Sequence, residues 1–123
     1  MGNDLVLVVD DDLDLQDMLE FILQQGGCRV LRACSGKAAL ELLREVRPSL
    51  ILLDLMLPDL RGEEILQEMR ALLGPSPPVV VVSASVDVAQ RALNLGVASL
   101  SKPFGVEDLM ELVQRHCPSA IPL

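Results

Sequence analysis

Five short apolar runs, each closing on or just before a polar residue, alternate along this chain with longer segments of helical periodicity. The runs are Leu5-Val6-Leu7-Val8-Val9, Cys28 to Ala33, Leu50-Ile51-Leu52-Leu53, Val79-Val80-Val81-Val82 and Ala98-Ser99-Leu100. Near-continuous apolar strands are buried on both faces, which marks a parallel sheet. Parallel neighbours need crossover connections, and right-handed crossovers put helices on both sides of the sheet. The alternation predicts an α/β domain of three layers: a doubly wound five-stranded parallel sheet with five helices.

The intervening segments carry the matching periodicity. Leu15, Met18, Leu19, Ile22 and Leu23 form an apolar stripe that Gly26-Gly27 stops. Ser35 is a predicted N-cap for a helix whose inner face is Ala39, Leu42, Leu43 and Val46, ended by Arg47-Pro48. A third helix over Gly62 to Leu73 buries Ile65, Leu66, Met69, Leu72 and Leu73, and Gly74 to Pro78 breaks it. A weaker fourth, about Val86 to Leu95, offers only Ala89, Ala92 and Leu93. A fifth, about Val106 to Arg115, offers Val106, Leu109, Met110 and Val113. The expectation is one domain over residues 1–123, with a core of about 4–116 and a tail or linker at 117–123.

Composition narrows the function classes. Of 123 residues, 50% are hydrophobic, yet Trp and Tyr are absent, so the core is aliphatic. A net charge of -8 argues against direct contact with nucleic acid or an anionic membrane surface. No apolar run approaches the ~18 residues of a membrane span, and the start lacks a signal-peptide pattern, so a cytoplasmic setting is expected. Met1-Gly2 lacks the Ser or Thr at the sixth position that myristoylation wants, since Val6 stands there. Cys28, Cys34 and Cys117 have no metal-ligand spacing and are expected to be reduced, partly buried residues.

The sharp polar residues cluster at the ends of the apolar runs. Asp10 and Asp11 follow the first, Asp54 the third, Ser83 the fourth, and Lys102 lies just past the fifth. In an open parallel sheet the carboxyl ends of the strands share one edge, where ligands bind. Three carboxylates crowded there repel unless a cation joins them. Mg²⁺ suits hard oxygen ligands and phosphate. One carboxylate could then serve as a nucleophile, with the Lys102 ammonium and Ser83 hydroxyl on the phosphoryl oxygens.

These pieces, taken together and in order, resemble the receiver domain of two-component response regulators from Leu5 to about Arg115. They are Val8-Val9-Asp10-Asp11-Asp12, Leu52-Leu53-Asp54-Leu55-Met56-Leu57-Pro58-Asp59, Arg61-Gly62, Ser83-Ala84 and Lys102-Pro103-Phe104. The resemblance implies the strand order 2-1-3-4-5 and makes Asp54 the phosphoacceptor, charged by a histidine kinase or phosphotransfer protein. It implies Asp11 as a direct Mg²⁺ ligand, Asp10 as a ligand through water, and the backbone carbonyl of Met56 as a further ligand. Ser83 and Lys102 would attend the phosphoryl group, and the Lys102-Pro103 peptide would be cis. A downstream output domain or target protein is implied, with the chain a monomer or a weak phosphorylation-dependent dimer. Such a domain catalyses its own phosphorylation and dephosphorylation but turns over no metabolic substrate. One departure stands out: the family's switch aromatic, three positions before the lysine, is Ser99 here.

Blander roles are expected elsewhere. Asp12 and Asp14 suit helix capping, Asp59 and Gly62 the loop and helix start, and His116 a helix C-terminus. Two other functions compete. An aspartate-nucleophile phosphatase would need an Asp-x-Asp followed by Thr or Val after x, and neither Asp10-x-Asp12 nor Asp12-x-Asp14 fits. A phosphorylation-independent docking module of receiver type is the main alternative, motivated by Ser99.

Overall fold

The computed structural model describes residues 4–74 and 77–118. Among them the chain runs β1 (Leu5–Val9), α1 (Leu13–Gln25), β2 (Arg29–Ala33), α2 (Gly36–Leu43) and β3 (Leu50–Asp54). It continues through α3 (Gly62–Leu73), β4 (Val79–Ser83), α4 (Val88–Leu95), β5 (Ala98–Ser101) and α5 (Val106–His116). The five strands form one parallel sheet, as the alternation predicts, in the order β2-β1-β3-β4-β5 that the resemblance implies.

Successive strand residues point to opposite faces, so each strand feeds two cores. On one face Val6, Val8, Leu50, Leu52, Val80 and Val82 pack with residues of α1 and α5, among them Leu19, Leu23, Leu109 and Val113. On the other, Leu7, Val9, Ile51 and Leu53 pack with Ala39 and Leu43 of α2 and Ile65, Leu66 and Met69 of α3. Each fully buried aliphatic side chain contributes about 2 kcal/mol. The central strand β3 is buried at every residue. Under α4 lies only a small cluster of Leu55, Val81, Val88 and Ala92.

Several helix faces differ from the sequence pattern. Residues before α4 form a turn in which the Val88 N–H donates to the Ser85 carbonyl. The helix therefore starts at Val88, and its phase buries Val88 and Ala92; Ala89, Leu93 and Val86 face solvent. The helix α2 stops at Leu43, one turn early, where the Arg44 and Glu45 N–H groups turn to the carbonyls three residues back, Glu41 and Leu42; Arg47-Pro48 lies in the following loop. Met18, Leu72 and Val106 sit at the edges of their stripes and are exposed. Cys34 is exposed, whereas Cys117 caps α5 and is fully buried, so the core reaches one residue into the expected tail. Residues 1–3, Pro75-Ser76 and the tail from 119 to 123 lie outside the described residues.

Candidate functional site

The sheet register brings the polar strand ends together. Val9 pairs with Leu53, Asp54 with Val82, and Ser83 with Ser101, so the residues just beyond them share one edge. Asp10, Asp54 and Ser83 are buried there, while Asp11 is exposed. Carboxylate oxygens of Asp10, Asp11 and Asp54 lie within 4.8 Å of one another. Lys102 reaches in from β5, its Nζ 2.7 Å from Asp10 Oδ2 and 3.1 Å from Asp54 Oδ2. Its main chain is tied to the same edge, the Lys102 N–H donating to the Ser83 carbonyl at 2.9 Å. The Lys102-Pro103 peptide is cis.

Both buried carboxylates use their second oxygen on the main chain. Asp10 Oδ1 accepts from the Asp12 N–H and Asp54 Oδ1 from the Met56 N–H, each at 2.9 Å. Burial by itself would lower the Lys102 pKa, but the hydrogen bonds to Asp10 and Asp54 outweigh it and hold the ammonium above the ordinary lysine range. One ammonium against three carboxylates still leaves the pocket anionic. A hard divalent cation fits this oxygen donor set, and the exposed Asp11 leaves an open side for it.

Ser83 Oγ accepts from the Ser85 N–H at 3.2 Å, and the Ser85 hydroxyl donates to Asp87 in the turn before α4. Met56 is exposed, its backbone held by Asp54 and by a bridge to Arg61. Ser99 lies in β5 opposite Val81, half-buried. The structure thus gathers Asp10, Asp11, Asp54 and Lys102 in direct contact or within ligand distance, with Ser83 and Met56 on the same edge.

The capping expectation holds for Asp12 and Ser35, with one addition, while Asp14 lies within the first turn of α1. Asp12 caps α1 through Leu15, and Ser35 caps α2 through Ala38. Asp59 caps α2 from a distance: its two oxygens accept from the Gly36 and Lys37 N–H groups at 2.9 and 3.0 Å. The Lys37 and Gly36 N–H groups outweigh the slight burial and hold the Asp59 carboxyl below its usual range. Gly62 donates its N–H to the Leu55 carbonyl, and a Cβ there would stand 2.6 Å from Leu55 Cα. Asp59 and Gly62 therefore fix both ends of the loop that follows Asp54. One buried residue escaped the apolar pattern. Gln16, 1% exposed, lies on the α1 stripe three residues before Leu19, and a glutamine at that spacing is the signal that could have found it.

Known proteins share this fold. Residues 6–114 match the response regulator receiver domain family. The chain is 29% identical over 121 residues to the sporulation initiation phosphotransferase F of Bacillus subtilis, covering 96% of this chain and 97% of that protein. It is 37% identical over 112 residues to the DNA-binding response regulator MtrA of Mycobacterium tuberculosis, covering 89% of this chain and 48% of that protein. It thus spans about half the length of MtrA. Among solved structures, the receiver domain of a Pseudomonas aeruginosa sensor histidine kinase, with magnesium coordinated in its active site cleft, superposes with a TM-score of 0.85 at 28% identity, covering 94% of this chain and 98% of that one. A receiver domain protein of Methanospirillum hungatei gives 0.84 at 29% identity, covering 93% of each chain. The chain belongs to the response regulator receiver domain family.

Proposed function

We propose that this chain is a phosphorylation-dependent signalling switch that accepts a phosphoryl group on Asp54 from a histidine kinase or phosphotransfer protein. The observation that carries the reading is the Lys102 ammonium set between Asp10 and Asp54 inside a three-carboxylate cluster. A carboxylate oxygen of Asp54 attacks phosphorus, and the bond from phosphorus to the donor breaks as the acyl phosphate forms. Lys102, already in contact with Asp54, neutralises charge on the transferred group, and Ser83 donates to one of its oxygens. Asp11, Asp54 and the Met56 carbonyl would hold Mg²⁺ directly. By the resemblance to receiver domains, Asp10 would act at one remove; it and Asp54 alike have one oxygen on Lys102 and the other on a main-chain N–H. Bound there, Mg²⁺ would add to the charge neutralisation that Lys102 provides on the phosphoryl group.

The output partner is a downstream domain or a separate target protein. With Ser99 at the switch position, the signal leaves through the segment from Ser83 to Leu95, where Ser83 is linked through Ser85 to the turn before α4. Intact mass measured after incubation with a small-molecule phosphodonor tests the reading. The expected result is a gain of one phosphoryl group that requires Mg²⁺ and is absent from Asp54→Asn. The same time course reads its loss. The exposed Met56 thioether orients a hydrolytic water poorly, so decay is expected to be slow and Met56→Asn to hasten it. Failure of folded, Mg²⁺-bound protein to gain mass would favour the phosphorylation-independent docking module.

A further inference from the structure

Gln16 sits beneath the acid cluster with every polar atom of its side chain engaged. Its Nε2 donates to the Asp10 carbonyl at 2.7 Å and to the Ala33 carbonyl at 2.8 Å. The Ala33 carbonyl also accepts the Asp10 N–H at 3.1 Å. Both main-chain groups of Asp10 are thereby closed into a small ring through one amide and one carbonyl. The ring ties the turn after β1 to the end of β2. At the other end of the side chain, Gln16 Oε1 accepts from Arg32 Nε at 3.1 Å and from the Cys34 thiol at 3.7 Å. Those donors fix which end of the amide is oxygen, so its two N–H groups must face the two carbonyls. Arg32 is itself held by Asp17 and Glu20 at 2.7 and 2.9 Å.

We propose that Gln16 is a positioning residue for cation binding, setting the main chain of Asp10 and Asp11 so that their carboxylates converge with Asp54. The inference rests on the metal-dependent reading above. It assigns to a residue with no carboxylate and no contact with the phosphoryl group a share in the affinity of the pocket for Mg²⁺. Groups that orient metal ligands typically carry about 10- to 100-fold in metal affinity. Gln16→Met keeps the length and volume of the side chain and removes both donors. Arg32→Met leaves the donors but frees the amide to turn, so a smaller effect in the same direction is expected.

The test is Mg²⁺ titration by calorimetry on the intact, unphosphorylated chain, with Val113→Ala as a control that loosens the core away from the site. Gln16→Met is expected to weaken Mg²⁺ binding about tenfold, Arg32→Met less, and Val113→Ala not at all. In parallel, amide exchange of Asp10 and Asp12 in metal-free protein is expected to quicken in Gln16→Met alone. The phosphorylation rate at saturating Mg²⁺ should return to within about twofold of wild type, since the loss lies in affinity. Binding by Gln16→Met within twofold of wild type would overturn the proposal. So would equal weakening by Val113→Ala, which would mark general loosening. If wild type itself binds no Mg²⁺, the metal reading fails, and unchanged exchange at Asp10 and Asp12 would then refute the positioning role separately.

Discussion

Asp59 commits both carboxylate oxygens to the N–H groups of Gly36 and Lys37, the first two residues of α2. Ser35 takes the next with its side chain, on Ala38, and its carbonyl accepts the first helical bond from Ala39, so the free N–H groups of Gly36, Lys37 and Ala38 are all satisfied. Asp59→Ala should cost about 1 kcal/mol of stability at neutral pH, as loss of a helix cap does. The pH dependence follows from the depressed folded pKa. The contribution is fully present above the unfolded value, 3.8, and fades as pH falls through the lower folded one. Urea titrations should show the wild-type advantage constant above about pH 5 and closing below about pH 4. At this scale the sequence was legible wherever a residue caps its own helix, as with Asp12 and Ser35. It gave Asp59 only a place in the loop and for Gln16 only a helical spacing, because their partners are separated from them by more than a helix turn of chain and chosen by the tertiary fold.

The element that the core holds least is α4, which buries only Val88 and Ala92. A polar contact compensates. Arg91 grips Glu63 of α3 through two bonds, Nε to Oε2 at 2.6 Å and Nη2 to Oε1 at 2.7 Å. The guanidinium holds the Glu63 carboxyl below its usual range despite partial burial. Removing either partner should free α4 by about 1 kcal/mol, read as roughly fivefold faster amide exchange across the helix. Glu63→Gln, Arg91→Gln and the double variant should show non-additive effects, since the pair acts as a unit. High salt should shrink the difference, the two side chains being 34% and 23% exposed. The same exchange experiment addresses output: phosphorylation of Asp54 should alter rates between Ser83 and Leu95, and unchanged rates would remove α4 from the signal path. The start of this helix was misread from sequence because Ser85 and Asp87 build a turn that delays it; Ala92 is buried as expected, but Val88 joins it in place of Ala89 and Leu93.

For the whole molecule, the fold and the candidate site were legible from one pattern. Apolar runs buried on both faces demand a parallel sheet, and a parallel sheet places every run's end on a common edge. Burial then sorts the three cysteines. Cys28, where the chain enters β2, and Cys117, where it leaves α5, meet in the core between distant parts of the chain, and only Cys34 is exposed. Burial raises both interior thiols, Cys117 to about 12, so neither offers thiolate near neutral pH. Mass spectrometry after alkylation of native protein should find a single label, on Cys34, against all 3 cysteines after unfolding. Early labelling of Cys117 would mean that the end of α5 does not dock as described.

The contact between Gly62 and the Leu55 main chain has a consequence for how such a sequence can diverge. Any side chain at Gly62 must displace the residue that follows Asp54, whereas the outer face of α4 touches nothing in the sheet edge. A lineage can therefore rewrite the exposed positions Ala89, Gln90, Leu93 and Asn94 by drift and acquire new listeners. Exchanging one glycine, by contrast, means rebuilding the ground on which the acid cluster stands.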